Sequence, residues 1–362
     1  MNYSFEFFLK NEQWSNLHDH LSNFNSKLEE NIVRQDTDRT RATVRKRLLD
    51  NNVIKKANPE LIDQMKKELL EGNVVAVDGT CTDYDLLTVG FQARIGIIAI
   101  NYRNIRTGYT IYISDPFIPY EKRDYEEIIQ YALQKKTGRV GISGLHVRAI
   151  MLYKERDFIL DRPEKYKMVQ GDIFPYELKT GQGRLRGLNA CLSLGRKILN
   201  TGNIIATQTT TSDPVFRILG HALESGEYIE IRDYYEDLNA FLNGDGEEFS
   251  VPARFNDDDR ETFRLFIEDA KRKFVVGLYK SPGSNRSYVF YAPKKNTETM
   301  VNLLFADSSF QPMRGFPLLL DYADAICTKI ISAEDFRKQI EAKLARKKLL
   351  DFEKNEKSMR RR

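Results

Sequence analysis

Four carboxylates, remote from one another in the chain, occupy positions where chemistry could use them. Asp78 follows Val74-Val75-Ala76-Val77, a run of small or β-branched apolar residues that suits a strand buried on both faces. The sequence predicts that Asp78 ends this strand and that Gly79 lets the backbone turn close to whatever the aspartate binds. A carboxylate at the tip of a buried strand is costly unless something positive compensates it. A divalent cation does so, and it also turns the carboxylate into a catalytic group. The plain alternative is an aspartate that caps the next turn.

Glu155 is the second. Met151 and Leu152 precede it by four and three residues, and Phe158 and Ile159 follow by three and four. On a helix all of these share its face, so the glutamate projects from the apolar stripe. Asp172 is the third, after Tyr166-Lys167-Met168-Val169-Gln170 and Gly171. Adjacent strands ending together would bring it and Asp78 to one cation, although an aspartate beside glycine is also a common turn residue. Glu177, five residues on, is a reserve ligand. Asp324 is the fourth: Leu320, Asp324, Cys327 and Ile331 fall on one helical face, again an acid on an apolar stripe.

All of these are oxygen donors, which suits Mg2+ or Mn2+ rather than zinc. Without metal they would repel, and at least one would keep its proton at neutral pH. Two cations about 4 Å apart, one activating water and one stabilising the departing oxygen, form the usual scheme for phosphodiester hydrolysis. Weaker signals point the same way. Lys280 ends the strand-like Val275–Tyr279 and could neutralise a phosphate, and Gly181-Gln182-Gly183-Arg184-Leu185-Arg186 could offer amides, Arg184 and Arg186 to a nucleic-acid backbone. Its glycine spacing is not a dinucleotide fingerprint. His18 and His20, two apart on a helix, face different ways, and no Ser-His-Asp, Cys-His or Walker pattern occurs.

The elements that must position these residues read as α/β. Residues 1–70 have helical periodicity; Asn58-Pro59 starts a helix that Gly72 ends. The Asp78 strand follows, then strands near 86–101 and 109–114 joined by a turn at 104–108, forming an antiparallel meander. Helices are expected near 122–136 and 143–160, a strand at 166–170, a helix near 185–199 and a strand at 203–207. The segment 213–270 is mixed, and Asp257-Asp258-Asp259 reads as a helix start or solvated loop. Strands at 274–279 and 288–292 precede a helix from Pro317 and a basic helix from Ser332. Three divisions follow: an N-terminal helical region (1–70), a main domain (71–345) and a basic tail (346–362).

Composition sets the bounds. The chain has 362 residues, 41% hydrophobic and 30% charged, enough for a sizeable core in a soluble protein. No apolar run spans a bilayer, the start lacks the pattern of a signal peptide, and three scattered cysteines give neither a metal motif nor a disulfide framework. These features predict a reduced, cytoplasmic protein with no membrane association. Net charge is +4, but Arg337–Arg362 carries +7, leaving −3 on the body. A basic tail on an acidic body suits nucleic acid or an acidic partner, and equally a solvated terminal helix.

The order of these features resembles the NurA nuclease family. The likeness rests on Val77-Asp78-Gly79-Thr80, on Arg148…Glu155, on Gly171-Asp172, on the strand Phe274–Lys280 and on Arg314-Gly315-Phe316-Pro317-Leu318 through Ala323-Asp324. The resemblance implies a ribonuclease-H-like mixed sheet flanked by helices, with N-terminal helical and C-terminal basic helical extensions. It further implies Mn2+-dependent cleavage of DNA, a homodimer, and work with a HerA-type hexameric ATPase at DNA ends. Asp78, Glu155 and Asp172 would then hold two metal ions, with Glu177 in reserve, Asp324 in support and Lys280 on phosphate. Two departures stand out: Asp324 occupies a position where the family commonly has histidine, and the third motif's aspartate-glycine is reversed here. An inactive copy that only binds DNA or the ATPase would show the same departures.

Overall fold

The computed structural model describes residues 37–86, 89–119, 144–181, 187–209, 213–243 and 255–347. The chain divides into two units, Met1–Asn52 and Val53–Arg362. In the first, the described part is the helix Thr37–Asp50. Everything that follows concerns the second.

Its organiser is the continuous apolar run of the Asp78 strand. Val74, Val75, Ala76 and Val77 are fully buried, because the pleat sends alternate side chains into two cores, one on each face of a single sheet. Ten strands form that sheet: β1 (Ile54–Lys56), β2 (Val74–Asp85), β3 (Gly90–Ile100), β4 (Thr110–Ser114), β5 (Phe117–Pro119), β6 (Tyr166–Gln170), β7 (Ile204–Gln208), β8 (Glu227–Asp233), β9 (Phe274–Lys280) and β10 (Tyr288–Pro293). Their order is β1-β8-β9-β10-β7-β6-β2-β3-β4, with β5 beside β3. β2, β6 and β7 run parallel; every other pairing is antiparallel. The segment β4-β3-β2-β6-β7, an antiparallel meander whose first strand is then extended by two parallel ones, is a ribonuclease-H-like core. The fold is therefore α/β, a mixed sheet flanked by helices.

One face is covered by the helices Gly144–Leu160, Leu188–Leu199, Tyr234–Asn243 and Asp257–Ala270. The other is covered by Pro59–Leu70, Thr297–Ser308 and Leu318–Ile330. Local signals explain several boundaries. Asn58 caps its helix by accepting from Glu60 and Leu61 N–H, with Pro59 in the first turn. The acidic run 257–259 opens a helix through a reciprocal capping box between Asn256 and Asp259.

Three expectations are corrected. β2 does not end at Asp78 but runs to Asp85; what ends there is its pairing with β6, whose last register pair is Val77–Val169. The link between β3 and β4 contains a helical turn, Asn104–Thr107. The mixed segment 213–270 contributes a buried strand, β8, whose apolar residues are too few to stand out in sequence. The helix expected near 122–136 and the tail 348–362 lie outside the described residues. Among the described residues no helix is long and apolar enough to cross a membrane.

Asp307 is one of the buried acids on the side of the second core. Asp307, at the end of the helix Thr297–Ser308, accepts hydrogen bonds from the Tyr102 hydroxyl and from Leu319 N–H at 2.9 Å. Burial outweighs both donors and pushes its pKa up to about 7. The folded protein therefore holds a proton that the unfolded chain releases near the ordinary aspartate value. The stability this contributes is full below about pH 4 and is lost as pH rises toward 7. Asp307→Asn should remove that slope. In denaturant titrations between about pH 4 and 8, the comparison should shift by about 4 kcal/mol in the variant's favour as pH rises.

Candidate active site

At Asp78 the pleat and the helices bring carboxylates in from both faces of the sheet. Asp78 shares its face with Val74 and Ala76, toward the helix Leu318–Ile330, whereas Gly79 shares its face with Val75 and Val77, toward Gly144–Leu160. Glu155, on that second helix, is 2% exposed, as its place on the apolar face predicts. Its Oε2 lies 3.1 Å from where a Cβ on Gly79 would stand, and Met151 Cγ lies at 3.0 Å from the same point. Gly79 is thus needed for close approach, not for the turn expected from sequence, since the strand continues through it. Beyond the last β2–β6 pair, the Gly79 backbone N–H is near enough to both Asp78 and Glu155 to favour their charged forms.

Both acids are pushed toward their protonated forms. Asp78 is held well above the usual carboxylate range by burial first, then by the nearby negative charges of Glu155 and Asp324. Glu155 is raised by burial, against the pull of Arg156. Two carboxylates under this strain, one turned to each side of a shared amide, are what a divalent cation would relieve.

Arg156 was not singled out by sequence. It is completely buried and spends its donors on four acceptors. Nη1 bonds Glu155 Oε1, Nε the carbonyl of Ile173 at 3.2 Å, and Nη2 the carbonyls of Gln170 at 2.9 Å and Asp172 at 2.7 Å. The guanidinium therefore ties the glutamate to the turn at the end of β6, where Gly171 adopts a φ of 90°.

The remaining expected residues are distributed as follows. Asp172 is held in a closed set: Oδ1 accepts from Phe174 N–H at 3.0 Å and the Tyr234 hydroxyl at 2.9 Å, and Oδ2 from Lys179 Nζ at 2.8 Å. Glu177 pairs with Arg148 at 2.9 Å, the arginine remaining largely exposed. Asp324 was expected on an apolar stripe; it is exposed, because the buried edge of its helix is Leu319, Leu320, Ala323 and Cys327, and residue 324 lies beyond it. It still acts electrostatically on Asp78 from the rim. Lys280 donates to the carbonyl of Leu223 at 3.1 Å, and its strand is four places from β2, about 19 Å across the sheet. Arg184 and Arg186 lie outside the described residues. Among the described residues no three of Asp, Glu, His and Cys converge as a ligand group. Asp78 and Glu155 are the pair that the fold brings together.

No family model and no curated protein matches this chain in sequence. Solved structures do match it in fold. A NurA crystal structure with bound dAMP and manganese is 10% identical, with a TM-score of 0.50 over 95% of this chain and 100% of that one. Another NurA structure, also 10% identical, gives 0.50 over 89% and 97%. The NurA nuclease from Sulfolobus solfataricus is 13% identical, with a TM-score of 0.49 over 94% and 100%. At such identities the likeness is one of fold.

The Glu155–Arg156 pair makes a stability prediction. Arg156→Met leaves a buried carboxylate and three carbonyls without their donor and should cost about 3–5 kcal/mol in denaturant unfolding. The double variant Glu155→Gln/Arg156→Met should be less destabilised than the single one, because the uncompensated charge goes with its partner.

Proposed function

We propose that this protein is a metal-dependent deoxyribonuclease that hydrolyses phosphodiester bonds in single-stranded DNA or at DNA ends. The observation that carries the reading is the meeting of Asp78 and Glu155 over Gly79, on the central strand of a ribonuclease-H-like sheet. The NurA fold neighbour with dAMP and manganese supports both the substrate class and the cation. The donor set fits Mn2+ or Mg2+: both groups are carboxylates, both are displaced toward protonation by burial, and neither is exposed to bulk water.

In this reading Asp78 and Glu155 hold the cation. When bound, it acts as a Lewis acid that lowers the pKa of water and stabilises charge on the phosphate. The rest falls to the chain. Arg156 fixes the Glu155 carboxylate, and the Gly79 N–H favours the charged forms of both acids. Asp324 adds negative charge at the rim, and Arg148, exposed two helical turns before Glu155, offers a guanidinium to the DNA backbone. A HerA-type hexameric ATPase and a homodimeric assembly complete the proposal, both resting on the family resemblance.

A second reading has an observation of its own. One oxygen of Glu155 is spent on Arg156 and Asp172 is closed by Lys179 and Tyr234, as in a scaffold that binds DNA or an ATPase without cutting. Cleavage decides between the two. With Mn2+ the wild type should degrade linear single-stranded DNA, and Asp78→Asn and Glu155→Gln should each abolish it while leaving the thermal transition intact. Gly79→Ala, which crowds Glu155 Oε2, should lower the rate by about 10²-fold. A wild type inert in every divalent metal would leave only the scaffold.

A further inference from the structure

We propose that the site takes a single divalent cation and that the side-chain amide oxygen of Gln170 is its third protein ligand, with Asp172 standing outside it. The inference rests on Asp78 and Glu155 being cation ligands, and is independent of what reaction the cation serves.

The register gives the placement. The last pair between β2 and β6 is Val77–Val169, so one residue further on Asp78 stands beside Gln170, on strands about 4.8 Å apart. Ala76 and Met168, the preceding neighbours on that face, belong to the same core cluster, and the alternation of the pleat puts Asp78 and Gln170 next on it. Gln170 Oε1 is buried and has no hydrogen-bond partner among the described residues. A buried carbonyl oxygen left without a donor is unfavourable, and calls for a positive group that completes it. Amide oxygens are ordinary ligands of hard divalent cations. The backbone carbonyl of the same residue is held by Arg156, so the strand end carrying this side chain is fixed.

Charge sets the number of ions. Asp78 and Glu155 contribute two negative charges, and the Arg156 guanidinium, in contact with Glu155, removes one. With Asp324 adding one negative charge at the rim, one divalent cation leaves the cluster neutral; a second would leave it at +2, in a buried place where like charges are poorly screened. The carboxylate that a second ion would use is Asp172. It already accepts three hydrogen bonds, one of them from the Lys179 ammonium. Gln170 thus takes, as a neutral donor, the position beside Asp78 that sequence reading gave to an aspartate two residues later.

The test is Mn2+ binding to the full chain by titration calorimetry, with Mn2+ electron paramagnetic resonance to count the ions. The expected stoichiometry is one per chain. Gln170→Met, close in volume, should weaken Mn2+ by about tenfold or more with an unchanged thermal transition. Gln170→Glu should tighten it, a gain that misfolding cannot produce. Asp172→Asn, which keeps an acceptor for Tyr234 and Phe174, should leave the affinity within about twofold, whereas Asp78→Asn should lose it. Two ions per chain, unaltered affinity in both Gln170 variants, or a loss in Asp172→Asn equal to that in Asp78→Asn would overturn the proposal. So would a wild type that binds no Mn2+, which would take the metal-dependent nuclease with it. A chain that binds one ion as described but cuts no DNA sinks the nuclease alone.

Discussion

The interaction on which the rest of the site depends is the buried fork of Arg156. A guanidinium taken wholly out of water is tolerated only when its donors are met, and here they are met by one carboxylate and three carbonyls. The carbonyls belong to the turn that ends β6; the carboxylate belongs to the residue before the arginine itself. On a helix, neighbouring side chains diverge by about a hundred degrees. Bringing Glu155 and Arg156 into contact therefore fixes both rotamers and joins helix Gly144–Leu160 to the strand end. The acid cannot relax toward solvent without undoing the turn.

Around that fork the sheet does the rest. Its two faces are both covered, so a polar group in the middle of β2 is largely withdrawn from water, and Asp78 stands where β6 stops pairing with β2. Asp78 and Glu155 reach this point from opposite faces, and Gly79, lacking a side chain, is the passage between them. Desolvation raises both acids, and the charges of Glu155 and Asp324 raise Asp78 further, which a cation between Asp78 and Glu155 would relieve. On the proposed function, the same closure that makes the pair expensive would favour a small, hard, doubly charged partner.

How much of this could be read from sequence varies by residue. Val74–Val77 announces a two-sided strand because nothing polar interrupts it, and the burial of Glu155 follows from apolar neighbours three and four residues away. The meander, the parallel strands and most helices follow from the same periodicities. β8 escaped because four of its seven residues are charged, which leaves Tyr228, Ile229 and Ile231 as too short an apolar signal. Asp324 was misread because a helical stripe has a border, and Ala323 rather than Asp324 lies inside it. Gly79 carried the right residue type for a reason that only the packing of Met151 and Glu155 reveals. Asp172, an acid after a strand, draws the eye, yet its partners Lys179 and Tyr234 are set by tertiary placement. Arg156 and Gln170 gave no signal, since an arginine is usually solvated and a strand-end glutamine is chemically quiet. Their significance exists only once the β2–β6 register is known.

That register also governs when the site comes into being. β3, the antiparallel partner of β2, is its near neighbour in the chain, whereas β6, its parallel partner, lies beyond the helix Gly144–Leu160. Such non-local pairings are the slow, late events of folding, since loop closure must be paid before any contact rewards it. Glu155 and the strand-end turn therefore meet Asp78 in one of the last steps of assembly. On the proposed function, a nascent chain would have no preformed cage for a metal ion, and cation affinity would be a property of the finished sheet, coupled to its completion.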